Sequence, residues 1–230
     1  MHELLLNKSV IFFDVGNTLV YPASGDWMIT NKFLELAGER LKQSAPEQLR
    51  QAWRAGIEYL LQHHQLREEA EEIEQFTRFY TILSDALKLD LTPDELHAAA
   101  WDRTCNMDNY LLYPDARKVV ETLSRTHRLG LISDTWPSIE RMLLTLDVRQ
   151  FFSCATYSYE LGVFKPDRRI FLDALQKCGY DAKQTVFIDD NPKNLAGASE
   201  LGITPILIAA DPGPEPETPF QTIHMLSELL

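Results

Sequence analysis

The sequence predicts an α/β fold, in which a three-layer α/β/α core with a parallel sheet carries an inserted all-helical domain. Three observations support this prediction. Five short segments rich in β-branched and large apolar side chains are typical of buried strands. Helical patterns of suitable length separate the later segments, an alternation that favours parallel strands covered on both faces. Between residues 20 and 108 the pattern is helical throughout.

The predicted strands determine where a functional site can form. They cover residues 9–13, 129–132, 154–157, 185–188 and 205–208. A proline-rich loop over residues 211–219 then precedes a short C-terminal strand or helix. In an open parallel sheet, ligands bind at the carboxyl ends of the strands. We therefore look for functional residues directly after these five segments.

The inserted domain is predicted from apolar residues that recur at helical spacing. They are Leu49, Trp53, Ile57, Leu60 and Leu61 in one stretch, and Ile73, Phe76, Tyr80, Leu83 and Leu87 in another. Capping boxes are expected at Ser44 with Glu47 and at Thr92 with Glu95. We expect about four helices, with the acidic run over residues 67–74 forming a solvated helix face.

The charge of the chain limits its partners. Lys and Arg number 22 against 34 Asp and Glu, a formal net charge of -12. Nucleic acids and anionic membranes repel such a surface, so we expect neither as a partner. The longest apolar stretches, over residues 10–13 and 203–210, are too short to span a bilayer.

The cysteines and the N-terminus favour a cytoplasmic protein. Cys105, Cys154 and Cys178 are an odd number without metal-type spacing, which argues against a disulfide framework. The first residues carry no basic flank of a signal peptide, and Lys8 interrupts the apolar run that follows. The oligomeric state is left open by the sequence.

Polar residues follow four of the predicted strands. The first strand is followed by Asp14, Gly16, Asn17 and Thr18, the second by Ser133 and Asp134, the third by Lys165, and the fourth by Asp189 and Asp190. Each group contains a side chain suited to binding phosphate or a cation. We expect the four groups to meet at one edge of the sheet, because that is where parallel strands end.

This ordered set resembles the haloacid dehalogenase superfamily of aspartate-nucleophile hydrolases, in the branch with a helical cap between its first and second motifs. The resemblance covers nearly the whole chain. It implies a Rossmann-like core over residues 1–20 and 109–230 and a cap over residues 21–108. It also implies a Mg²⁺-dependent phosphatase that acts on a small phosphate ester through an aspartyl-phosphate intermediate.

The resemblance assigns a role to each polar residue. Asp14 is the expected nucleophile and also a metal ligand. The backbone carbonyl of Gly16 and the carboxylate of Asp189 are expected to bind Mg²⁺ with it. Asp190 is either a further ligand or, together with Asn191, part of a helix cap.

The substrate-binding residues implied by the resemblance surround this metal site. Lys165 would neutralise both Asp14 and a phosphate oxygen, and Ser133 would donate its hydroxyl to phosphate. Both therefore count with Asp14 as catalytic residues. The resemblance also assigns three neighbouring residues to the substrate site: Asn17, Thr18 and Asp134. Asn17 and Thr18 lie in the turn after the nucleophile, and we expect them chiefly to hold the geometry of that turn.

The sequence departs from the family pattern at three positions. Most phosphatases of the superfamily carry a second aspartate, a general acid and base, where this chain has Gly16. Asp134 replaces the usual asparagine, and a carboxylate there would repel phosphate unless it is protonated or turned away. Asn194 stands where a second acidic ligand is common, and we expect it to orient the loop.

Three other functions remain open at this point. A true dehalogenase would use Asp14 on carbon without a metal, but such enzymes carry serine and asparagine where this chain has Asp189 and Asp190. A phosphonate-type hydrolase would need a cap lysine, and the candidates read as exposed helix positions: Lys32, Lys42 and Lys88. A non-catalytic protein that binds phosphate ligands is the third.

Overall fold

The computed structural model of the chain describes residues 3–210 and 218–230. It divides into two compact units. Unit 1 contains the described residues of Met1–Tyr21, Leu111–Thr135 and Leu143–Leu230. Unit 2 contains Pro22–Tyr110 and Trp136–Met142. The second of these segments lies in the part of the sequence expected to form the core.

The strands and helices follow in chain order. The strands are β1 (Val10–Phe13), β2 (Val20–Pro22), β3 (Tyr110–Leu112), β4 (Arg128–Ser133), β5 (Cys154–Tyr157), β6 (Thr185–Asp189), β7 (Thr204–Ile208) and β8 (Gln221–Ile223). The helices are α1 (Asn31–Gln43), α2 (Pro46–Gln62), α3 (Glu69–Leu87), α4 (Pro93–Cys105), α5 (Ala116–Leu123), α6 (Ile139–Thr145), α7 (Ser158–Leu161), α8 (Arg168–Cys178) and α9 (Pro192–Glu200).

Six strands form a parallel sheet in the order β5-β4-β1-β6-β7-β8. The five predicted strands are confirmed, and the predicted C-terminal element is the strand β8. Residues 211–217 of the predicted proline-rich loop lie outside the described residues. A two-stranded sheet of β2 and β3 was not predicted, because three residues are too few to show an alternating pattern.

Packing against the sheet explains one glycine. The core of unit 1 includes Phe12 and Phe187 of the sheet together with Phe171 of α8. A Cβ at Gly130 of β4 would lie 2.7 Å from the Phe12 ring and 2.8 Å from the sulfur of Cys154. Only glycine lets β4 take its place beside β1 without displacing these side chains.

Unit 2 contains the four predicted helices α1–α4. The capping box of Thr92 and Glu95 at the start of α4 is confirmed. The box predicted at Ser44 is wrong: Ala45 is the N-cap of α2 and Pro46 its first residue, while Ser44 ends α1. The apolar core of the unit includes Phe33, Ala52, Leu60, Phe76, Phe79, Tyr80, Leu83 and Leu96.

The acidic run over residues 67–74 is not a uniformly solvated face. Glu74 is exposed, as predicted. Glu72 is wholly buried, with 0% of its surface exposed, so the prediction is wrong there. A buried carboxylate needs hydrogen-bond donors or a cation beside it. Within the described residues, no helix has both the length and the hydropathy needed to cross a bilayer.

Candidate active site

Three neighbouring strands bring predicted site residues to one edge of the sheet. In the parallel register, Phe13 of β1 lies beside Leu131 of β4 and Ile188 of β6. The next residue, Asp14, donates its backbone N–H to the carbonyl of Ile188 at 2.9 Å. Asp14, Ser133 and Asp189 therefore emerge from adjacent strands, which are spaced about 4.7–4.9 Å apart.

Lys165 joins these carboxylates from the loop between α7 and α8. Its Nζ atom donates to Asp14 Oδ1 at 2.6 Å and to Asp189 Oδ2 at 2.7 Å. A third hydrogen bond, of 3.2 Å, reaches the carbonyl of Ile132. Because all three donors of the ammonium group are used, the lysine is held at a fixed point between the two aspartates.

Asp189 is oriented by the start of α9. Asn194 Nδ2 lies 3.1 Å from each of its carboxylate oxygens, and the backbone N–H of Asn191 donates to Oδ1 at 2.7 Å. The side chain of Asn191 accepts from the N–H of Lys193 and is the N-cap of α9. Asn191 fills the role of helix cap, and Asp190 remains available to the carboxylate cluster.

The turn after Asp14 supports Asp190. Asn17 has a positive φ of 56° and donates from Nδ2 to Asp190 Oδ2 at 3.3 Å. Gly16 forms a bridge with Val20, which closes the turn. Thr18 is fully buried, and its hydroxyl has no hydrogen-bond partner among the described residues.

Ser133 and Asp134 lie where β4 ends. Ser133 is the last residue of the strand and is buried. Asp134 accepts the backbone N–H of Lys165 at 3.0 Å through Oδ1. The carboxylate of Asp134 therefore holds the loop of Lys165 by its backbone N–H, and this bond gives Asp134 a hydrogen-bond partner inside the protein.

The charges of this cluster perturb one another. Burial raises the pKa of Asp14 and the carboxylates of Asp189 and Asp190 raise it further, against the opposing effect of Lys165. Burial also raises the pKa of Asp134. Burial lowers the pKa of Lys165, but the surrounding carboxylates outweigh it and raise the pKa above its ordinary value, so the side chain stays an ammonium ion.

Three carboxylates of this cluster fit a metal ion. Oxygens of Asp14, Asp189 and Asp190 all lie within 4.8 Å of one another. A set of carboxylate oxygens is the donor chemistry that Mg²⁺ and Ca²⁺ prefer. A divalent cation would also offset the excess of negative charge that Lys165 alone does not balance.

Ser158, at this edge of the sheet, is a site residue that the sequence pattern did not predict. Ser158 follows β5 directly and is fully buried. Its hydroxyl accepts the N–H of Thr135 at 2.8 Å and donates to the carbonyl of the same residue at 3.3 Å. The signal for it was present, since a serine after a buried strand lies at the same sheet edge as the other polar groups.

The relatives of this chain include phosphatases and a dehalogenase. The chain is 27% identical over 214 residues to a glyceraldehyde 3-phosphate phosphatase of Methanopyrus kandleri, which covers 86% of this chain and 82% of that protein. It is 33% identical over 113 residues to a phosphoserine phosphatase of Thermus thermophilus, covering 48% and 45% of the two chains. The (S)-2-haloacid dehalogenase of Pseudomonas putida is also similar, at 24% identity over 162 residues. That match covers 67% of this chain and 70% of the dehalogenase.

Solved structures share the fold. A 2-haloacid dehalogenase from Pseudomonas syringae pv. Tomato matches with a TM-score of 0.64 and 22% identity, over 96% of each chain. A phosphatase from Thermococcus onnurineus matches with a TM-score of 0.63 and 18% identity, over 96% of this chain and 95% of the other. The sequence model of the haloacid dehalogenase-like hydrolases matches residues 8–202. The chain therefore belongs to the haloacid dehalogenase-like hydrolases.

Proposed function

We propose that this hydrolase is a Mg²⁺-dependent phosphatase that removes phosphate from a small phosphorylated metabolite through an aspartyl-phosphate on Asp14. The observation that carries the proposal is the convergence of three carboxylates with Lys165 in one buried cluster. The charge of -12 on the chain supports a small-molecule substrate over a nucleic acid. Three free cysteines support a cytoplasmic location.

The metal would be held by the carboxylates of Asp14, Asp189 and Asp190 and by the backbone carbonyl of Gly16. Bound there, Mg²⁺ supplies positive charge that offsets the charge of the phosphate oxygens. Asn194 and the N–H of Asn191 orient Asp189 for this role.

Asp14 is proposed as the nucleophile. An oxygen of its carboxylate forms a bond to phosphorus while the ester P–O bond breaks, and the leaving oxygen departs with the electron pair. A water then attacks the aspartyl-phosphate, which releases phosphate and restores the carboxylate. Each pair of like unit charges 4 Å apart costs about 4 kcal/mol at an effective dielectric near 20, so the approach needs compensating charge.

The compensating groups of the protein lie around Asp14. Lys165, held between Asp14 and Asp189, supplies a fixed positive charge. Ser133 would donate its hydroxyl to a phosphate oxygen, while Asn17 and Thr18 keep the geometry of the turn. The bond of Asp134 to the N–H of Lys165 supports a role in loop anchoring, in which its carboxylate is directed at the main chain.

The glycine at position 16 suggests which phosphate esters the enzyme would prefer. Without an aspartate at this position, more negative charge stays on the departing oxygen when the ester bond breaks. Acyl phosphates, aryl phosphates and sugar 1-phosphates tolerate that charge better than simple alkyl phosphates do. We therefore propose activated phosphates as the preferred substrate class.

The three alternative functions are less well supported. A dehalogenase would use Asp14 without a metal, and the further acids of the cluster, Asp189 and Asp190, would repel a carboxylate substrate. The cap lysines do not suit a phosphonate-type hydrolase, because Lys42 and Lys88 are exposed and Lys32 is ion-paired with Glu35. A purely binding protein would not need the nucleophile, the lysine and the metal ligands together.

A panel of phosphate esters with leaving groups of graded pKa tests the proposal. Purified protein is assayed with Mg²⁺ and with EDTA, and a 2-haloacid is included as a dehalogenase substrate. We expect metal-dependent release of phosphate, fastest from the aryl and acyl esters. Halide release in EDTA without phosphate release would establish the dehalogenase function instead.

A further inference from the structure

Three side chains on one side of α3 bind the segment Trp136–Met142. Glu69, Glu72 and Gln75 are spaced three residues apart, which is about 4.5 Å of helix rise per step and keeps them on the same side. They contact residues 141, 138 and 136 in that order. The segment therefore runs antiparallel to the helix, and we call this set of contacts the α3 ladder.

The contact of Glu72 with Ser138 is buried, and that of Gln75 with Trp136 is partly buried. Trp136 Nε1 donates to Gln75 Oε1 at 2.7 Å. The N–H and the hydroxyl of Ser138 each donate to a different oxygen of Glu72, both at 2.8 Å. The outer rung pairs Arg141 Nε with Glu69 Oε1 at 3.0 Å and is partly exposed, so solvent weakens it.

Arg103 stabilises the central contact of the ladder, between Glu72 and Ser138. Its Nη1 atom donates to Glu72 at 2.7 Å, and both side chains are almost completely buried. The guanidinium lies 3.6 Å from the ring centroid of Phe76 and 4.8 Å from that of Trp136. The ladder thus fixes the segment by charge, by hydrogen bonds and by stacking at the same place.

The segment begins three residues after Ser133, the last residue of β4. In unit 1, Thr135 is held on both its N–H and its carbonyl by Ser158. In unit 2, Ser138 is held by Glu72. Only Trp136 and Pro137 separate these two anchored residues, and proline restricts the backbone further. Such a short link cannot absorb much displacement of one anchor without moving the other.

We propose that Glu72 is a positioning residue for Ser133. Through the α3 ladder, Glu72 fixes Ser138, which lies three positions after Thr135. The short link of Trp136 and Pro137 transmits this constraint to the residues at the end of β4. This inference rests on the proposed function, because it assigns to Ser133 the role of phosphate donor. Glu72 itself does not touch the substrate.

The first test compares Glu72→Gln with Glu74→Gln, a matched change at an exposed position of the same helix. The probes are p-nitrophenyl phosphate as substrate and inorganic phosphate as inhibitor, both with Mg²⁺. We expect Glu72→Gln to raise the inhibition constant of phosphate about tenfold, within the range found for coupling mutations. Glu74→Gln should leave it unchanged.

A double-mutant cycle separates positioning from general damage. In a Ser133→Ala background, Glu72→Gln should cause no further loss of phosphate affinity, because the group it positions is gone. An equal loss in both backgrounds would overturn the proposal. Should Glu72→Gln fail to fold, Ser138→Ala replaces it, since this change removes the hydroxyl bond and keeps the N–H bond to Glu72.

Hydrogen exchange provides a readout that does not depend on turnover. We expect Glu72→Gln, or Ser138→Ala, to speed exchange of the amides of residues 133–135 as well as those of residues 136–142. Faster exchange confined to residues 136–142 and to unit 2 helices would overturn the proposal. If wild-type protein hydrolyses no ester and phosphate does not inhibit it, the proposed function fails, while the exchange data still decide whether Glu72 holds the Ser133 loop.

Discussion

In each unit of this protein a buried basic side chain is paired with acidic residues, but the balance of charge differs between the two units. In unit 1, the Lys165 ammonium group contacts two aspartates directly and interacts electrostatically with two more. In unit 2, Arg103 faces the single carboxylate of Glu72. The first cluster holds four acidic residues around one ammonium group: Asp14, Asp134, Asp189 and Asp190. The second holds one acid and one base.

The difference separates a binding site from a structural contact. A buried charge that lacks a partner is costly, so an excess of carboxylates favours the binding of a cation. In the balanced pair of unit 2, the oxygens of Glu72 are occupied by donors from Arg103 and Ser138. Both places are buried, but only the cluster around Lys165 has an excess of acidic groups. This excess distinguishes the proposed active site from the Glu72–Arg103 pair, which we propose to have a positioning role.

The largest expected effect is on turnover. Asp14→Asn should reduce phosphatase activity by at least about 10³-fold, because the amide is not a nucleophile. The same change removes an acid whose ionisation is opposed by burial and by the carboxylates of Asp189 and Asp190, so the melting temperature in EDTA should stay equal or rise. Steady-state rates and thermal unfolding measure the two effects. Near-normal turnover would contradict the assignment of Asp14.

The metal site predicts a second effect. For wild-type protein, saturating Mg²⁺ should raise the free energy of unfolding by about 3 kcal/mol at a concentration 100 times its dissociation constant. Asp189→Asn should abolish most of this increase and lower the activity about 100-fold. Calorimetry with Mg²⁺ and with EDTA measures the stabilisation. An equal stabilisation of the variant by Mg²⁺ would show that the ion binds elsewhere.

The balanced pair predicts the opposite response to removal of an acid. Glu72→Ala should lower the free energy of unfolding by about 3–5 kcal/mol, because it leaves the Arg103 charge buried without its partner. Glu74→Ala, at the exposed position, should change it by no more than about 0.5 kcal/mol. Urea unfolding at pH 7 compares the two variants. Equal stabilities would contradict the distinction between the clusters.

A smaller effect is expected from a buried histidine of unit 2. Burial lowers the pKa of His64 from 6.5 to about 4. The unfolded chain then binds a proton at a higher pH than the folded one, so His64 costs no stability above pH 6.5. Stability is lost as the pH falls from 6.5 towards 4, by up to about 3 kcal/mol.

The measurement for His64 is the pH dependence of unfolding by urea at several values between pH 7 and pH 4. His64→Gln cannot take up a proton and is the control, so the difference between wild type and variant should grow towards acid. Parallel curves for the two proteins would mean that the imidazole titrates normally in the folded state.

The strands and the residues at their ends were accessible to sequence reasoning because both obey local rules. Apolar runs predicted the strands. Asp14 and Asp189 follow such runs directly, and Lys165 lies eight residues after a third run. Glu72 was not accessible, since its neighbours in the acidic run are solvated and its partners lie 31 and 66 residues away in the chain. No local pattern distinguishes such a carboxylate from the exposed Glu74.

The main chain and the side chain of Lys165 have different roles, because Asp134 binds only its backbone N–H. The loop is anchored through the backbone N–H, whereas the charge at the cluster comes from the side chain. Removing the side chain by Lys165→Gly leaves that anchoring atom in place. The vacated volume then matches an alkylammonium ion in size and charge, so the enzyme is suited to chemical complementation, in which an added small amine restores the missing cation.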